Sequence, residues 1–91
     1  MNPVNFEHIC TAIDEAITNE TAINICEKSN GGSMMFTFVP YECSCDNDSI
    51  YISAENDSYV NIININTITY DGIEELYTIL AGDTVYYITI I

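Results

Sequence analysis

Positive charge is almost missing from this chain. Its 91 residues contain 14 Asp and Glu but a single cation, Lys28, so the formal net charge is -13. Nucleic acid carries a dense row of phosphates, and cytoplasmic membrane surfaces are anionic, so both would repel such a chain. The shortage of cations therefore argues against direct binding to nucleic acid or to a membrane. It favours a basic protein as the partner.

Long apolar runs are missing as well. No stretch approaches the roughly 20 apolar residues that a membrane-spanning helix needs. The first five residues, MNPVN, have neither the basic start nor the apolar segment of a secretory signal. We therefore expect a cytoplasmic protein, and the length predicts one acidic domain over residues 1–91.

The acidity comes from a loss of cations and not from an unusual number of acids, because charged residues make up only 16% of the chain. Ile and Asn are heavily used, which suggests an AT-rich coding sequence. Lys codons are equally AT-rich, so Lys would be expected to be common. Like charges repel in the compact state and lower its stability, and a basic partner surface would offset that cost. General solubility is the alternative reading, although it does not require the loss of Lys.

Residues 3–20 are predicted to form a helix. Asn2 is a suitable N-cap and Pro3 suits the first helical position. Apolar residues recur at helical spacing on one face, and acidic and polar residues lie on the other. The helix is therefore expected to pack its apolar side inward and to present carboxylates to solvent.

Most of the remaining chain has a strand pattern. Strands are predicted at 21–28, 33–41, 49–54, 59–70 and 84–91, with a bulge or break in the fourth near Ile62 and Ile63. Residues 42–48 are predicted to be a polar loop, and 73–80 a short helix capped by Asp71. The expected fold class is α+β: an antiparallel sheet of about 4–5 strands, an N-terminal helix and a short helix before the last strand.

No pattern in the chain is typical of a catalytic or metal site. The four cysteines lack the paired C-x-x-C units of zinc sites, so we expect free thiols, no metal and no cofactor; a metal site and a disulfide are the weaker alternatives. His8, the only histidine, has no adjacent nucleophile in sequence. These observations predict a protein that is not an enzyme.

Exposed carboxylates and tyrosines are the candidate partner-binding residues. Tyr51 alternates with the inward residues Ile50 and Ile52 and is predicted on the outer sheet face, where Tyr supplies rigid contact area. The alternative is that Tyr merely suits strands. The full candidate set is Glu7, Asp14, Glu15, Glu42, Asp46, Asp48, Tyr51, Glu55, Asp57 and Tyr59.

In size and composition, over its whole length, the chain resembles small acidic phage proteins that imitate DNA, such as anti-CRISPR and antirestriction inhibitors. The resemblance rests on no motif. It implies an inhibitor in the host cytoplasm whose carboxylates occupy the nucleic-acid-binding surface of an effector or nuclease. One alternative is an immunity protein that neutralises a basic toxin. Another is a homo-oligomeric structural subunit, or a homodimer, formed by edge pairing of the apolar strand 85–91.

Overall fold

The computed structural model describes residues 2–91. These residues form one helix, α1 (Phe6–Thr18), and nine strands. The strands are β1 (Asn2–Pro3), β2 (Ile23–Ser29), β3 (Gly32–Phe38), β4 (Pro40–Cys45), β5 (Ile50–Ala54), β6 (Tyr59–Ile62), β7 (Ile65–Asp71), β8 (Leu76–Ala81) and β9 (Thr84–Ile90).

The strands make two antiparallel sheets. The large sheet has six strands in the order β1-β7-β8-β9-β2-β3, and the small sheet has three in the order β4-β5-β6. The protein is therefore mostly β, and the expected α+β fold with two helices and 4–5 strands is wrong. Because β9 lies between β8 and β2, it has no free edge, so the edge pairing expected of residues 85–91 cannot occur through this strand.

A core of isoleucine joins the two sheets to the helix. Nine Ile side chains are fully buried, among them Ile9 of α1, Ile88 of the large sheet and Ile52 of the small sheet. Burying a side chain of this size contributes about 1.5–3 kcal/mol. Since all of these residues belong to one hydrophobic cluster, the small sheet is held against the rest of the molecule by the same core.

The helix starts later than predicted. Asn5, and not Asn2, is the N-cap: its side-chain oxygen accepts a hydrogen bond from the backbone N–H of His8 at 3.0 Å. Asn2 and Pro3 instead pair with β7, where they lie opposite Tyr70 and Thr69. No helix within residues 2–91 has the length and apolar character needed to span a membrane.

The second helix, expected at 73–80, is absent from the described residues, and a tight turn followed by β8 occupies its place. Asp71 does cap, since its Oδ1 accepts from the N–H groups of Ile73 at 3.0 Å and Glu74 at 3.4 Å. Glu75 then adopts a left-handed backbone with φ of 54°, which a helix cannot propagate. The chain leaves this turn as a strand that buries Tyr77 and Ile79.

Two further expectations have different outcomes. The polar loop at 42–48 is wrong for its first half, because residues 42–45 belong to β4 and pair with β5. The break near Ile62 and Ile63 is confirmed: β6 ends at Ile62, β7 begins at Ile65, and Asn64 between them has φ of 58°. That break moves the chain from the small sheet to the large one.

Candidate partner-binding surface

The small sheet presents one face to the core and one to solvent. Directly opposed residues of antiparallel strands point to the same face, and neighbours along a strand alternate. Ile50 and Ile52 of the central strand β5 are fully buried, so they define the inner face. The outer face, which we call the tyrosine face, carries Glu42, Ser44, Tyr51, Ser53, Tyr59 and Asn61.

Two stacked rings lie on the tyrosine face, between the central strand and the edge strand β6. Tyr51 of β5 and Tyr59 of β6 have ring centroids 5.5 Å apart and planes inclined by 28°. Tyr59 pairs with Ser53, two residues from Tyr51, so the rings are diagonal cross-strand neighbours. Tyr59 is 63% exposed and Tyr51 is half-buried, which leaves one open aromatic surface on a rigid sheet.

Carboxylates lie at both ends of this face. The β4–β5 turn holds Asp46 and Asp48, and the β5–β6 turn holds Glu55 and Asp57; all four side chains are exposed. Since β5 alone separates the turns and has five residues, they are about 17 Å apart. Together with Glu42 on the face itself, the arrangement is aromatic in the middle and acidic at each end.

Backbone hydrogen bonds hold the acidic turns in shape. In the first turn, the N–H of Asp46 donates to the carbonyl of Ser49 at 2.9 Å. In the second, the N–H of Ala54 donates to the carbonyl of Ser58 at 2.8 Å, and Asp57 adopts φ of 68°. These hydrogen bonds close both turns and order the backbone that carries the acidic residues.

A groove opens beside Tyr59, where the β5–β6 turn meets the end of β3. Its volume is about 540 Å³. Phe36, Phe38 and Val39 supply apolar walls, while Glu55 and Tyr59 line the groove from the β5–β6 turn and the start of β6. A long side chain with an apolar stem and a cationic head, such as Arg or Lys, has the chemistry to fill it.

Seven of the ten candidate residues belong to the small sheet or to the turns that join its strands. They are Glu42, Asp46, Asp48, Tyr51, Glu55, Asp57 and Tyr59. The three helical candidates do not join them, because α1 packs on the opposite, inner side of β4. There, Sγ of Cys10 on α1 lies 4.0 Å from Sγ of Cys43 on β4.

The helical candidates occupy separate places. Glu7 and Glu15 line a shallow groove with His8 and Tyr77, and Asp14 lies near Cys43. The acidic residues of the whole chain are thus spread over more than one side of the molecule. A single continuous acidic stripe through all ten candidates is not formed.

Sequence reasoning missed the groove. Phe36 and Phe38 alternate along their strand and pack against the core while remaining partly exposed. Their strand, β3, is at the edge of the large sheet and pairs only with β2. The one signal in the sequence is the run from Met34 to Val39, which is apolar except for Thr37 and has more apolar residues than one buried face requires.

The cysteines also differ from expectation. Cys10 and Cys45 form a disulfide, so the expectation that all four thiols are free is wrong for this pair. Cys26 and Cys43 are free and partly buried. Burial, followed by the charge of Asp14, raises the pKa of Cys43 to about 11, so its thiol is protonated at neutral pH.

The chain matches no protein-family model, no curated protein and no solved structure. The candidate partner-binding surface is therefore the feature of the molecule that points to a function. Its elements are the open tyrosine pair, the carboxylates at both ends and the groove beside Tyr59.

Proposed function

We propose that this protein is an acidic inhibitor that covers the basic, nucleic-acid-binding surface of a target protein with its tyrosine face. The observation that carries the proposal is the stacked pair Tyr51 and Tyr59 between two acidic turns. Surfaces that bind nucleic acid combine Lys and Arg for phosphates with positions that accept flat bases. Carboxylates can take the place of the phosphates, and tyrosine rings can take the place of the bases.

Charge alone is too sparse to replace a DNA duplex. The surface has five carboxylates, at 42, 46, 48, 55 and 57, over about 17 Å. The same length of duplex axis carries about ten phosphates. The inhibitor therefore needs a second source of affinity, and the exposed rings supply it through stacking and cation–π contacts with Arg.

The groove gives this binding mode one specific anchor. An Arg of the target would lay its stem between Phe38 and Val39 and present its guanidinium to Glu55 and Tyr59. Arg suits this place because it pairs with a carboxylate and stacks on a ring at once. The net charge of -13 acts at longer range and speeds the encounter with a basic target.

The test is a pull-down from host lysate with the tagged protein and with two variants that lose the same charge. The first, E42Q/D48N/E55Q, neutralises the tyrosine face; the second, E7Q/D14N/E15Q, neutralises the helix. We expect the wild type and the helix variant to retain a nucleic-acid-binding protein that high salt releases and added DNA or RNA displaces. The variant E42Q/D48N/E55Q should fail to retain that protein.

The other outcomes contradict the proposal in distinct ways. Equal loss of the target in the two variants would mean that binding depends on net charge and not on a defined face. Loss only in the helix variant would move the contact to α1. A retained protein that nucleic acid fails to displace would indicate binding elsewhere on the target, as an immunity protein for a toxin could do.

A further inference from the structure

Three cysteine sulfurs converge between α1 and β4, on the side of the molecule away from the tyrosine face. The Sγ atoms of Cys10, Cys43 and Cys45 all lie within 4.8 Å of one another. Cys43 and Cys45 are two residues apart on a strand, so both point to the inner face, where they lie opposite Ile52 and Ile50. Cys10 reaches them from the helix.

We propose that these three thiols, in the reduced protein, bind one thiophilic metal ion, Zn²⁺ or Cu⁺. Three thiolates around an ion at a bond length of about 2.3 Å place their sulfurs about 3.8–4.0 Å apart. The Cys10 and Cys43 sulfurs are already 4.0 Å apart. Soft thiolate ligands select these ions over Mg²⁺ or Ca²⁺.

The surroundings suit a bound cation. Cys10 and Cys43 are partly buried whereas Cys45 is exposed, so an ion can enter from solvent and keep one coordination position open to water. Asp14 stands one helical turn after Cys10, so a carboxylate lies near the cluster. With one Lys in the chain, little positive charge opposes entry.

The disulfide and the metal site exclude each other. A thiol or phosphine reductant that cleaves the Cys10–Cys45 bond supplies two electrons, and with two protons it leaves three thiols in the cluster. The ion then displaces a proton from each thiol that ligates it. In the oxidised protein only Cys43 keeps a thiol in this cluster, and one thiol does not make the site.

The experiment uses anaerobic protein that is fully reduced with a phosphine. Zn²⁺ is titrated against a chromophoric chelator, and Cu⁺ against bathocuproine disulfonate. We expect one equivalent of one of these ions to bind, with a thiolate-to-metal charge-transfer band after Cd²⁺ substitution. Cys43→Ser should lower the affinity roughly tenfold or more, whereas the matched control Cys26→Ser, outside the cluster, should not.

Three results would overturn the proposal. They are equal affinity in the wild type and Cys43→Ser, equal losses in Cys43→Ser and Cys26→Ser, and full affinity in the oxidised protein. Cys45→Ser provides a second ligand variant at an exposed position, in case Cys43→Ser fails to fold. Near-ultraviolet circular dichroism of each metal-free variant checks its fold. Zn²⁺ binding with a tetrahedral Co²⁺ spectrum indicates a fourth ligand beside the three thiolates, and Cu⁺ binding alone indicates a trigonal site.

Discussion

The ring Nδ1 of His8 lies 2.7 Å from the hydroxyl oxygen of Tyr77, so the first turn of α1 is joined to the strand β8, 69 residues later in the chain. Tyr70 lies against the same pair, with its ring centroid 4.6 Å from that of Tyr77. Tyr77 is only 3% exposed. The contact therefore connects the helix to the large sheet through a buried phenol.

Tyr77 should make the protein sensitive to alkali. Burial, then the neighbouring Tyr70 and Glu15, raises its pKa from 10.0 to about 12. The folded state holds the phenol proton of Tyr77 more tightly than the unfolded state does. The contribution of Tyr77 to the free energy of unfolding is therefore fully present below pH 10 and is lost between pH 10 and about 12. Two pKa units correspond to a loss of about 2.7 kcal/mol at most. Denaturant unfolding at several pH values measures it.

The variant Tyr77→Phe tests the assignment. It should cost about 1 kcal/mol at neutral pH through the lost hydrogen bond to His8, yet lose less stability than the wild type at high pH. Tyr59→Phe, at an exposed ring, is the matched control and should keep the wild-type alkaline loss. If the free energy of unfolding falls equally with pH in the wild type and in Tyr77→Phe, other groups cause the alkaline loss.

Salt should stabilise the protein. Raising ionic strength from about 0.01 M to about 0.15 M shortens the screening length from about 30 Å to about 8 Å. The molecule measures 30 × 27 × 25 Å, so at low salt its acids repel one another across its whole width. We expect the melting temperature to rise with NaCl at neutral pH. Near the isoelectric point of about 4.1 the rise should vanish. A melting temperature indifferent to salt at neutral pH would mean that self-repulsion is small.

Removing one methylene from an isoleucine should destabilise the protein in the core but not at the surface. Ile88 is fully buried in the large sheet, whereas Ile73, in the β7–β8 turn, is 95% exposed. Ile88→Val should lower the free energy of unfolding by about 0.5–1.5 kcal/mol, because it leaves space in a packed core. Ile73→Val should have almost no effect. Equal changes in the free energy of unfolding by urea for the two variants would contradict the burial of Ile88.

A glycine in the β8–β9 turn should resist replacement. Gly82 adopts φ of 59°, a left-handed conformation that side chains with a Cβ disfavour. Gly82→Ala should therefore cost about 1 kcal/mol or somewhat more, although no atom lies within 4 Å of the added carbon. Gly31→Ala, also in open space but without positive φ, is the control. A similar thermal shift in the two variants would show that backbone strain at Gly82 is not the cause.

The sequence predicted most strands but not the sheets they form. Alternation over a strand such as β5 appears directly in the sequence, since Ile50 and Ile52 face the core on either side of Tyr51. The turn after Asp71 misled the prediction because Asp71 caps a turn with the same hydrogen bonds that start a helix. Which one follows depends on pairing of β8 with β7 and β9, and no local pattern encodes that pairing.

The candidate site was partly predictable for the same reason. Tyr51 was placed on an outer face from alternation, and in the structure Tyr59 shares that face of the small sheet with it. Cys10 and Cys43 are 33 residues apart and have no spacing typical of a metal site, so only the packing of α1 on β4 brings them together. The division of the acids between two sides of the molecule likewise follows from tertiary packing.

The free edge of β3 gives the shortage of cations a second consequence, which concerns association between copies of the chain. This strand, Gly32–Phe38, has no charged residue, and Met34 and Met35 are 57% and 68% exposed on it. Such an edge is a template for a strand from another copy, and proteins commonly guard it with a local lysine or proline. β3 itself contains neither residue, so we expect mutual repulsion between whole molecules to oppose aggregation instead. The charge that we propose draws in a basic target should therefore also keep the chains apart, and we expect aggregation through β3 to begin where acid removes that charge.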